Sequence, residues 1–204
     1  MDAASPELLA DQPPASVLSA FAAVTVSVGR TAAMVIRHKI AMPRDRVGDV
    51  LRFADGSHGR IYRDTVITGA QSADPAVLLV CFRLRWIRGA GHTAFRVESL
   101  LNTPLFAGFS GFRSKLWLAN DENGRYRGVY QWDGTELAES YARRLWWVLA
   151  LVSPPRSIRY IVLRGLRRDD VVDDPTLLAG IPGGESAWWR ITERVPTSTG
   201  KIVL

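Results

Sequence analysis

The sequence has little that would mark a secreted or membrane protein. Cys81 is the only cysteine among 204 residues, so no disulfide bond can form within the chain. There is no signal peptide led by lysine or arginine, and no apolar run of about 18 residues, the length that spans a bilayer. The longest uncharged apolar stretch, Ser16 to Gly29, is predicted to form buried core or an interface. These absences indicate a cytoplasmic protein, and a membrane is not an expected partner.

Lysine is scarce, and arginine carries most of the positive charge. Lysine occurs only at positions 39, 115 and 201, whereas lysine and arginine together number 26 and the net charge is +6. Clustered cations would indicate nucleic-acid binding, because they release counterions from phosphate. Here the cations are spread along the chain and alternate with acidic residues in the N-terminal third and near the C-terminus. Nucleic acid is therefore not an expected partner and stays a weak third alternative.

Motifs for a metal or a nucleotide are also missing. His38, His58 and His92 lie in separate segments without a carboxylate or cysteine at ligand spacing, so no zinc or iron site is expected. No glycine-rich phosphate loop follows a predicted strand, and no Gly-x-Ser-x-Gly elbow occurs. A lone thiol inside a predicted strand, such as Cys81, is typical of a small buried hydrophobe. No cofactor is expected.

The first part of the chain contains turn signals and one ambiguous segment. Apolar residues make up 47% of the chain, enough for a sizeable core. Residues 1–15 contain three prolines and are predicted to be a flexible leader. Residues 16–70 are predicted to form an N-terminal extension. Within it, alternating valines at 24–28 favour a strand while alanine-rich flanks would suit a helix, and the pattern leaves both open. A β-hairpin is predicted with its loop over residues 55–59.

Residues 74–166 show a regular pattern that predicts one α+β domain. The predicted strands are Ala76–Trp86, Phe109–Ala119, Arg125–Trp132 and Ser157–Leu163, and the predicted helices are Thr93–Leu105 and Thr135–Val152. The order strand, helix, strand, strand, helix, strand (βαββαβ) is the split βαβ arrangement, with an antiparallel sheet and helices on one face. Residues 167–204 are predicted to be a C-terminal tail that Trp188 and Trp189 anchor on the body.

One stretch resembles a known family. Residues 111–142, GFRSKLWLANDENGRYRGVYQWDGTELAESYA, resemble the YdhR-like monooxygenases and, more remotely, the antibiotic-biosynthesis-monooxygenase group. The Gly-Phe opening, the Lys-x-Trp-Leu strand, the Asn-Gly turn, the Gly-x-Tyr-x-Trp strand and the Tyr-bearing helix carry the resemblance, which covers about residues 76–165.

The resemblance implies a ferredoxin-like dimeric α/β barrel. In that superfamily two protomers commonly pair sheet to sheet, and the ligand cavity lies between the sheet and its helices or near the dimer seam. The resemblance thus implies a homodimer and, as in some members, oxidation of polycyclic phenols without metal or flavin. Haem cleavage is disfavoured, because residues 135–152 contain no histidine and residues 76–86 contain no asparagine.

Strand parity predicts where a ligand would bind. In the first strand of the domain, Leu78, Val80 and Phe82 share the side that faces the helices, and the opposite side of the sheet is predicted to be basic. The candidate ligand-binding residues on that side are Arg83, Arg113, Lys115, Trp117, Arg127 and Gln131. Guanidinium groups bind carboxylate or phenolate in bidentate fashion and tryptophan offers a stacking surface, so the expected ligand is small, aromatic and anionic. The alternatives are a solvated sheet face or an interface with a partner.

Two functions from different classes follow from these features. The first is a cofactor-independent monooxygenase-like protein that acts on or binds a small aromatic molecule. The second is a non-catalytic small-molecule-binding or assembly protein on the same barrel. No acid–base pair or nucleophile stands out by spacing, so no catalytic residue is assigned. Helical spacing places Trp147 on the solvent side of its helix, so we expect it to contact a partner subunit or the N-terminal segment.

Overall fold

The computed structural model describes residues 8–10, 13–36, 39–69, 72–85, 107–183 and 187–197. These residues form an α+β structure built on one antiparallel sheet. The strands are β1 (Leu8–Ala10), β2 (Ile40–Ala41), β3 (Val50–Phe53), β4 (His58–Ile67), β5 (Pro75–Arg83), β6 (Phe112–Leu118), β7 (Arg125–Asp133), β8 (Arg159–Arg164) and β9 (Ile191–Val195). The helices are α1 (Val17–Ile36), α2 (Thr135–Val152) and α3 (Arg168–Asp173), with short 3-10 helices at Pro155–Ser157 and Pro175–Leu178.

The strand order confirms the predicted class and the split arrangement of the central strands. The order across the sheet is β1-β8-β5-β7-β6-β4-β3-β9, and β2 pairs with β4. Within it β8, β5, β7 and β6 are the fourth, first, third and second strands of the predicted domain, which is the order that a split βαβ unit produces. The predicted helix Thr93–Leu105 lies outside the described residues. Pairing of two such units into a dimeric barrel stays a prediction.

A hydrophobic core lies on each face of the sheet. On one face, α2 packs against residues of β5, β7 and β8, namely Leu78, Val80, Tyr130, Trp132 and Val162. On the other face, the alternate residues of these strands meet the segment that follows β8, in a cluster that includes Val77, Leu79, Val129, Ile161, Val171, Trp188 and Trp189. This alternation confirms the predicted parity of β5 and β7. The centre of the sheet is therefore buried from both sides.

The N-terminal extension continues the same sheet. The predicted hairpin is confirmed, because β3 and β4 pair antiparallel with Val50 opposite Arg60. Its turn is stabilised locally, since the Asp55 carboxylate accepts a hydrogen bond from the Ser57 amide at 3.1 Å and Gly56 has a φ of 79°. β4 then pairs with β6, which joins the extension to the predicted domain.

The ambiguous segment at 24–28 belongs to a helix, and the leader contains a strand. α1 buries one stripe of small residues, Ala20, Ser27 and Thr31, so its valines do not alternate between the faces of a sheet. The Trp147 indole donates to the Ala15 carbonyl at 2.5 Å, which confirms the expected contact with the N-terminal segment. The prediction of a flexible leader over 1–15 is wrong for Leu8–Ala10, because their backbone pairs with the edge of β8.

The C-terminal tail closes the sheet face that lies opposite α2. Arg168, at the start of α3, forms a buried ion pair with Asp64 of β4 at 2.6 Å. Trp188 and Trp189 are 6% and 4% exposed, which confirms that they anchor the tail on the body. Within the described residues the tail covers this face, which is the one that the resemblance implies for sheet-to-sheet pairing. A homodimer stays a prediction.

We expect the buried indole of Trp189 to be essential for closing this face. Trp189→Ala should lower the free energy of unfolding by about 3–5 kcal/mol, because it leaves a large cavity in the core. The matched control is Leu177→Ala in the same tail, which is 44% exposed and should change the free energy by about 0.5 kcal/mol or less. Urea unfolding followed by far-UV circular dichroism measures both. Equal effects of the two substitutions would contradict a tail that is packed as described.

Candidate functional site

The predicted ligand-binding residues do not form one floor. The register of β6 with β7 shifts by one residue between Phe112 and Ser114. Arg113 lies at this irregularity, and beyond it Lys115 and Trp117 point to the α2 side of the sheet. The prediction of one basic face is therefore wrong, because an extra residue in a strand exchanges the faces of the residues that follow it.

Arg113 is part of a junction between β7 and α2. Its guanidinium donates to the Asp133 carboxylate at 2.7 Å. The same carboxylate accepts hydrogen bonds from the Ser72 hydroxyl and from the amides of Ala73 and Asp74. The amide of Asp74 and the guanidinium of Arg113 hold the pKa of Asp133 well below its usual range. Arg113 thus has a structural partner at this position.

Lys115 and Trp117 belong to a buried cluster on the α2 side, which we call the lysine–aromatic cluster: Arg63, Thr65, Lys115, Trp117, Tyr130 and Tyr141. The Lys115 ammonium lies 3.2 Å from the centre of the Trp117 ring, and the Trp117 indole donates to the Thr65 hydroxyl at 3.2 Å. Burial, and then the charge of Arg63, lowers the pKa of Lys115 well below its ordinary value. Burial also lowers the pKa of Arg63 to about 10.

Two phenols complete this cluster. The rings of Tyr130 and Tyr141 lie 5.8 Å apart, and their hydroxyls are hydrogen-bonded to each other. Burial raises the pKa of both hydroxyls above the ordinary value of 10.0, so both are neutral near pH 7. The cluster lies between the sheet and α2, which is one of the two places where the resemblance implies a ligand cavity.

Arg127 lies on the tail side of the sheet and contacts two neighbouring loops. This buried side chain donates to the Ser57 hydroxyl at 2.6 Å and to the Asp121 carboxylate at 3.1 Å, and it lies 3.5 Å from the carboxylate of Asp55. It therefore ties the β3–β4 turn to the turn that precedes β7.

Gln131 also lies on the tail side and is buried. Its amide nitrogen donates to the carbonyls of Ala76 and Trp132 at 3.2 and 2.9 Å, and its amide oxygen accepts from the Arg168 amide at 2.6 Å. The side chain thus bridges two strands and the start of α3. Its described contacts are structural.

Arg83 lines a basic pocket at one end of the sheet. We call this site the arginine pocket; it has a volume of about 380 Å³ and is lined by Cys81, Arg83, Arg125, Pro154, Arg156, Ser157, Arg159 and Trp188. The antiparallel register places Arg83 opposite Arg125 and Cys81 opposite Arg159, which brings three guanidinium-bearing positions to one end of the sheet. The fourth arginine comes from the 3-10 helix Pro155–Ser157.

Local hydrogen bonds hold the rim of the arginine pocket. The Ser157 hydroxyl donates to the Pro154 carbonyl at 2.7 Å and accepts from the Arg83 amide at 3.3 Å, so the 3-10 helix is fastened to the end of β5. The tail supplies the aromatic wall, since the Arg159 guanidinium lies 5.2 Å from the centre of the Trp188 ring.

The arginine pocket has a strongly positive lining. Its lining residues include no aspartate or glutamate. Arg125 forms an ion pair with Asp55 at 3.1 Å, whereas in the described part of the chain no acidic residue pairs with Arg83 or Arg156. At the floor, burial raises the pKa of the Cys81 thiol, although Arg127 and Arg125 act in the opposite direction. The pocket thus presents cations above a neutral thiol.

Strand parity could have identified part of this pocket. Arg125 precedes Arg127 by two residues, and Arg159 precedes Ile161 by two residues. Residues two apart in a strand point to the same face of the sheet, so the sequence pattern indicates that both arginines lie on the tail side. Trp188 could not be predicted, because it reaches the pocket only through the fold of the tail.

The described residues contain no group of three or more His, Cys, Asp or Glu side chains placed to hold a metal ion. Two of the histidines considered in the sequence, His38 and His92, lie outside the described residues.

Comparison with known proteins gives only distant similarity. No protein-family model matches the sequence, and no curated protein matches it. An uncharacterised ferredoxin-fold protein related to antibiotic biosynthesis monooxygenases, from Listeria monocytogenes 4b F2365, is similar over 55% of this chain and 67% of its own, with 11% identity and a TM-score of 0.40. A major regulator of staphylococcal pathogenesis is similar over 76% of this chain and 96% of its own, with 11% identity and a TM-score of 0.34. Similarities this weak carry no argument about function.

The depressed pKa of Asp133 makes a pH-dependent contribution to stability. A folded-state pKa below the ordinary value of 3.8 stabilises the protein above that pH, and the contribution is lost as the pH falls through the folded-state pKa. Asp133→Asn should therefore lower the free energy of unfolding at neutral pH by about 1–2 kcal/mol, and the difference from wild type should shrink below pH 3.8. Urea titrations across the acid range measure this. Asp74→Asn, at an exposed carboxylate, is the matched control, and a constant deficit at every pH would contradict the assignment.

Proposed function

We propose that this protein binds a small anionic aromatic molecule in the arginine pocket. The observation that carries the proposal is the meeting of Arg83, Arg125, Arg156 and Arg159 beside the indole of Trp188. Guanidinium groups bind carboxylate or phenolate oxygens through paired hydrogen bonds, and an indole stacks on an aromatic ring. The two halves of such a ligand would each have a matching surface.

The charge of the pocket supports an anion. In the described part of the chain neither Arg83 nor Arg156 pairs with an acidic residue. Like charges that line one pocket repel each other, and a bound anion relieves this repulsion. The volume of about 380 Å³ is within the range of small-molecule sites and suits a ligand of one or two rings. A site of this kind serves an enzyme or a non-catalytic binding protein equally well.

Oxygenation by a cofactor-independent monooxygenase is the second candidate, and the lysine–aromatic cluster favours it. Lowering of the pKa of Lys115 favours its neutral amine, the form that accepts a proton from a phenol. With an anthrone-type substrate, O₂ would convert the central CH₂ to a carbonyl, and its other oxygen atom would leave as water with electrons supplied by the substrate. The resemblance of residues 111–142 to YdhR-like monooxygenases supports this chemistry.

Ligand binding in the arginine pocket is tested with 2-naphthoate and its neutral isostere 2-naphthamide by isothermal titration calorimetry. The wild-type chain should bind the carboxylate at least about ten-fold more tightly than the amide, because a charge-assisted hydrogen bond contributes roughly 1.5–3 kcal/mol. Arg83→Ala and Arg156→Ala should each weaken binding by about ten-fold. Arg60→Ala, an exposed arginine outside the pocket, is the matched control. Equal affinity for the two compounds, or unchanged affinity in both pocket variants, would reject the proposal.

Oxygen uptake with anthrone separates the second candidate from the first. If the lysine–aromatic cluster is catalytic, Lys115→Met and Tyr141→Phe should each lower turnover by at least about a hundred-fold, whereas Arg156→Ala should leave turnover unchanged. Anthraquinone is measured by its absorbance, and the fold of each variant by circular dichroism. No turnover above the uncatalysed rate would remove the oxygenase candidate and leave the binding proposal standing.

A further inference from the structure

α1 exposes a continuous apolar face along its whole length. The outward face of α1 consists of Leu18, Phe21, Val28 and Ile36, which recur at spacings that bring them to one side of a helix. The exposed fractions of Leu18, Phe21 and Ile36 are 84%, 63% and 77%. Exposed apolar patches of this kind mark contact sites on soluble domains and lipid-binding sites on peripheral proteins.

The opposite side of α1 is held against the protein. Its buried stripe includes Ser27, whose carbonyl oxygen lies so close to Gly108 that a side chain at that position would collide with it. The last turn of α2, one turn beyond the Trp147 contact with the N-terminal segment, also exposes Leu151 and Val152. α1 is thus a helix of about 30 Å, by its 20 residues, with one side on the protein and the other without a described partner.

By length and composition this helix could contact lipid. Among the described residues it is the one helix long and apolar enough to cross a membrane, over the 18 residues Val17–Met34. Only 17% of that window is buried, whereas the helix of a soluble core is mostly covered. The stretch from Ser16 to Gly29 is therefore not buried core. The expectation that no apolar run of about 18 residues occurs is also wrong, because Val17–Met34 is such a run in the form of a helix.

The charge around α1 is complementary to anionic lipid. Residues 12–44 contain no aspartate or glutamate and carry Arg30, Arg37, Lys39 and Arg44. Arg30 and Lys39 are exposed and line a groove of about 530 Å³ between α1 and the end of β4. Basic residues that flank an apolar helix are attracted to the phosphates of an anionic leaflet.

We propose that the outward face of α1 binds an anionic phospholipid surface, with α1 lying in the plane of the membrane and the rest of the chain outside it. Apolar residues would enter the boundary between headgroups and acyl chains, and Arg30 and Lys39 would contact phosphates. A second copy of this chain fits the outward face of α1 less well. Pairing two copies of α1 would bring positively charged residues close to one another, and residues 12–44 contain no acidic residue to neutralise them.

Co-sedimentation with vesicles tests the proposal. The full chain should bind vesicles that contain one third phosphatidylglycerol at least about ten-fold more strongly than vesicles of phosphatidylcholine alone, and binding should weaken as salt is added. The double variant Leu18→Ser/Phe21→Ser should lower binding by about ten-fold or more. Leu177→Ser, at an exposed leucine of the tail, is the matched control and should bind as wild type.

Three results would overturn the proposal. Equal binding to both vesicle types, or to neither, removes the anionic lipid as the occupant. Retention of the protein on vesicles after an alkaline carbonate wash contradicts an in-plane helix and indicates one that spans. A shift from dimer to monomer in the double variant by sedimentation equilibrium, without vesicle binding by either protein, assigns the face to a second copy. Unchanged circular dichroism and thermal unfolding of the double variant show that any loss is not caused by misfolding.

Discussion

The buried ion pair between Arg168 and Asp64 is the contact on which the arrangement of the tail depends. Burial raises the pKa of the Asp64 carboxyl, and the guanidinium of Arg168 acts against that rise. Removing one partner would leave an uncompensated charge in the interior, which is far more costly than losing an exposed pair. The Arg168 amide also donates to Gln131 on β7, so the start of α3 is fixed to two strands. The tail therefore follows the sheet closely from its first residues.

This contact links the core to the arginine pocket. Because α3 is held against the sheet, the chain that follows can bring Trp188 to the far end of β5 and β8. There Trp188 is both a member of the hydrophobic core and a wall of the pocket. The arginine pocket and the packing of the tail share the side chain of Trp188, so a substitution in the core of the tail would also alter the shape of the pocket.

The general fold could be predicted from the sequence, whereas the site could not be assembled from it. Strand order and the parity of β5 and β7 follow from apolar alternation and turn signals, both of which are local. β6 departs from the predicted alternation at Arg113. The sequence does not reveal this departure, because an alternating pattern does not show where one extra residue enters a strand. The role of the tail was also inaccessible, since pairing of β3 with β9 joins segments from opposite ends of the chain. Of the predicted ligand residues, Arg83 alone lines the pocket that the proposal uses.

The pairing of β3 with β9 has a consequence for how the protein is made. Val50 lies opposite Val195 in this pair, so this edge of the sheet cannot form before Val195 has left the ribosome. Until then, the face that the tail will cover is open to water, and contacts so distant in sequence form slowly. Nascent chains of this protein would therefore be good clients for a chaperone that shields apolar strands during synthesis.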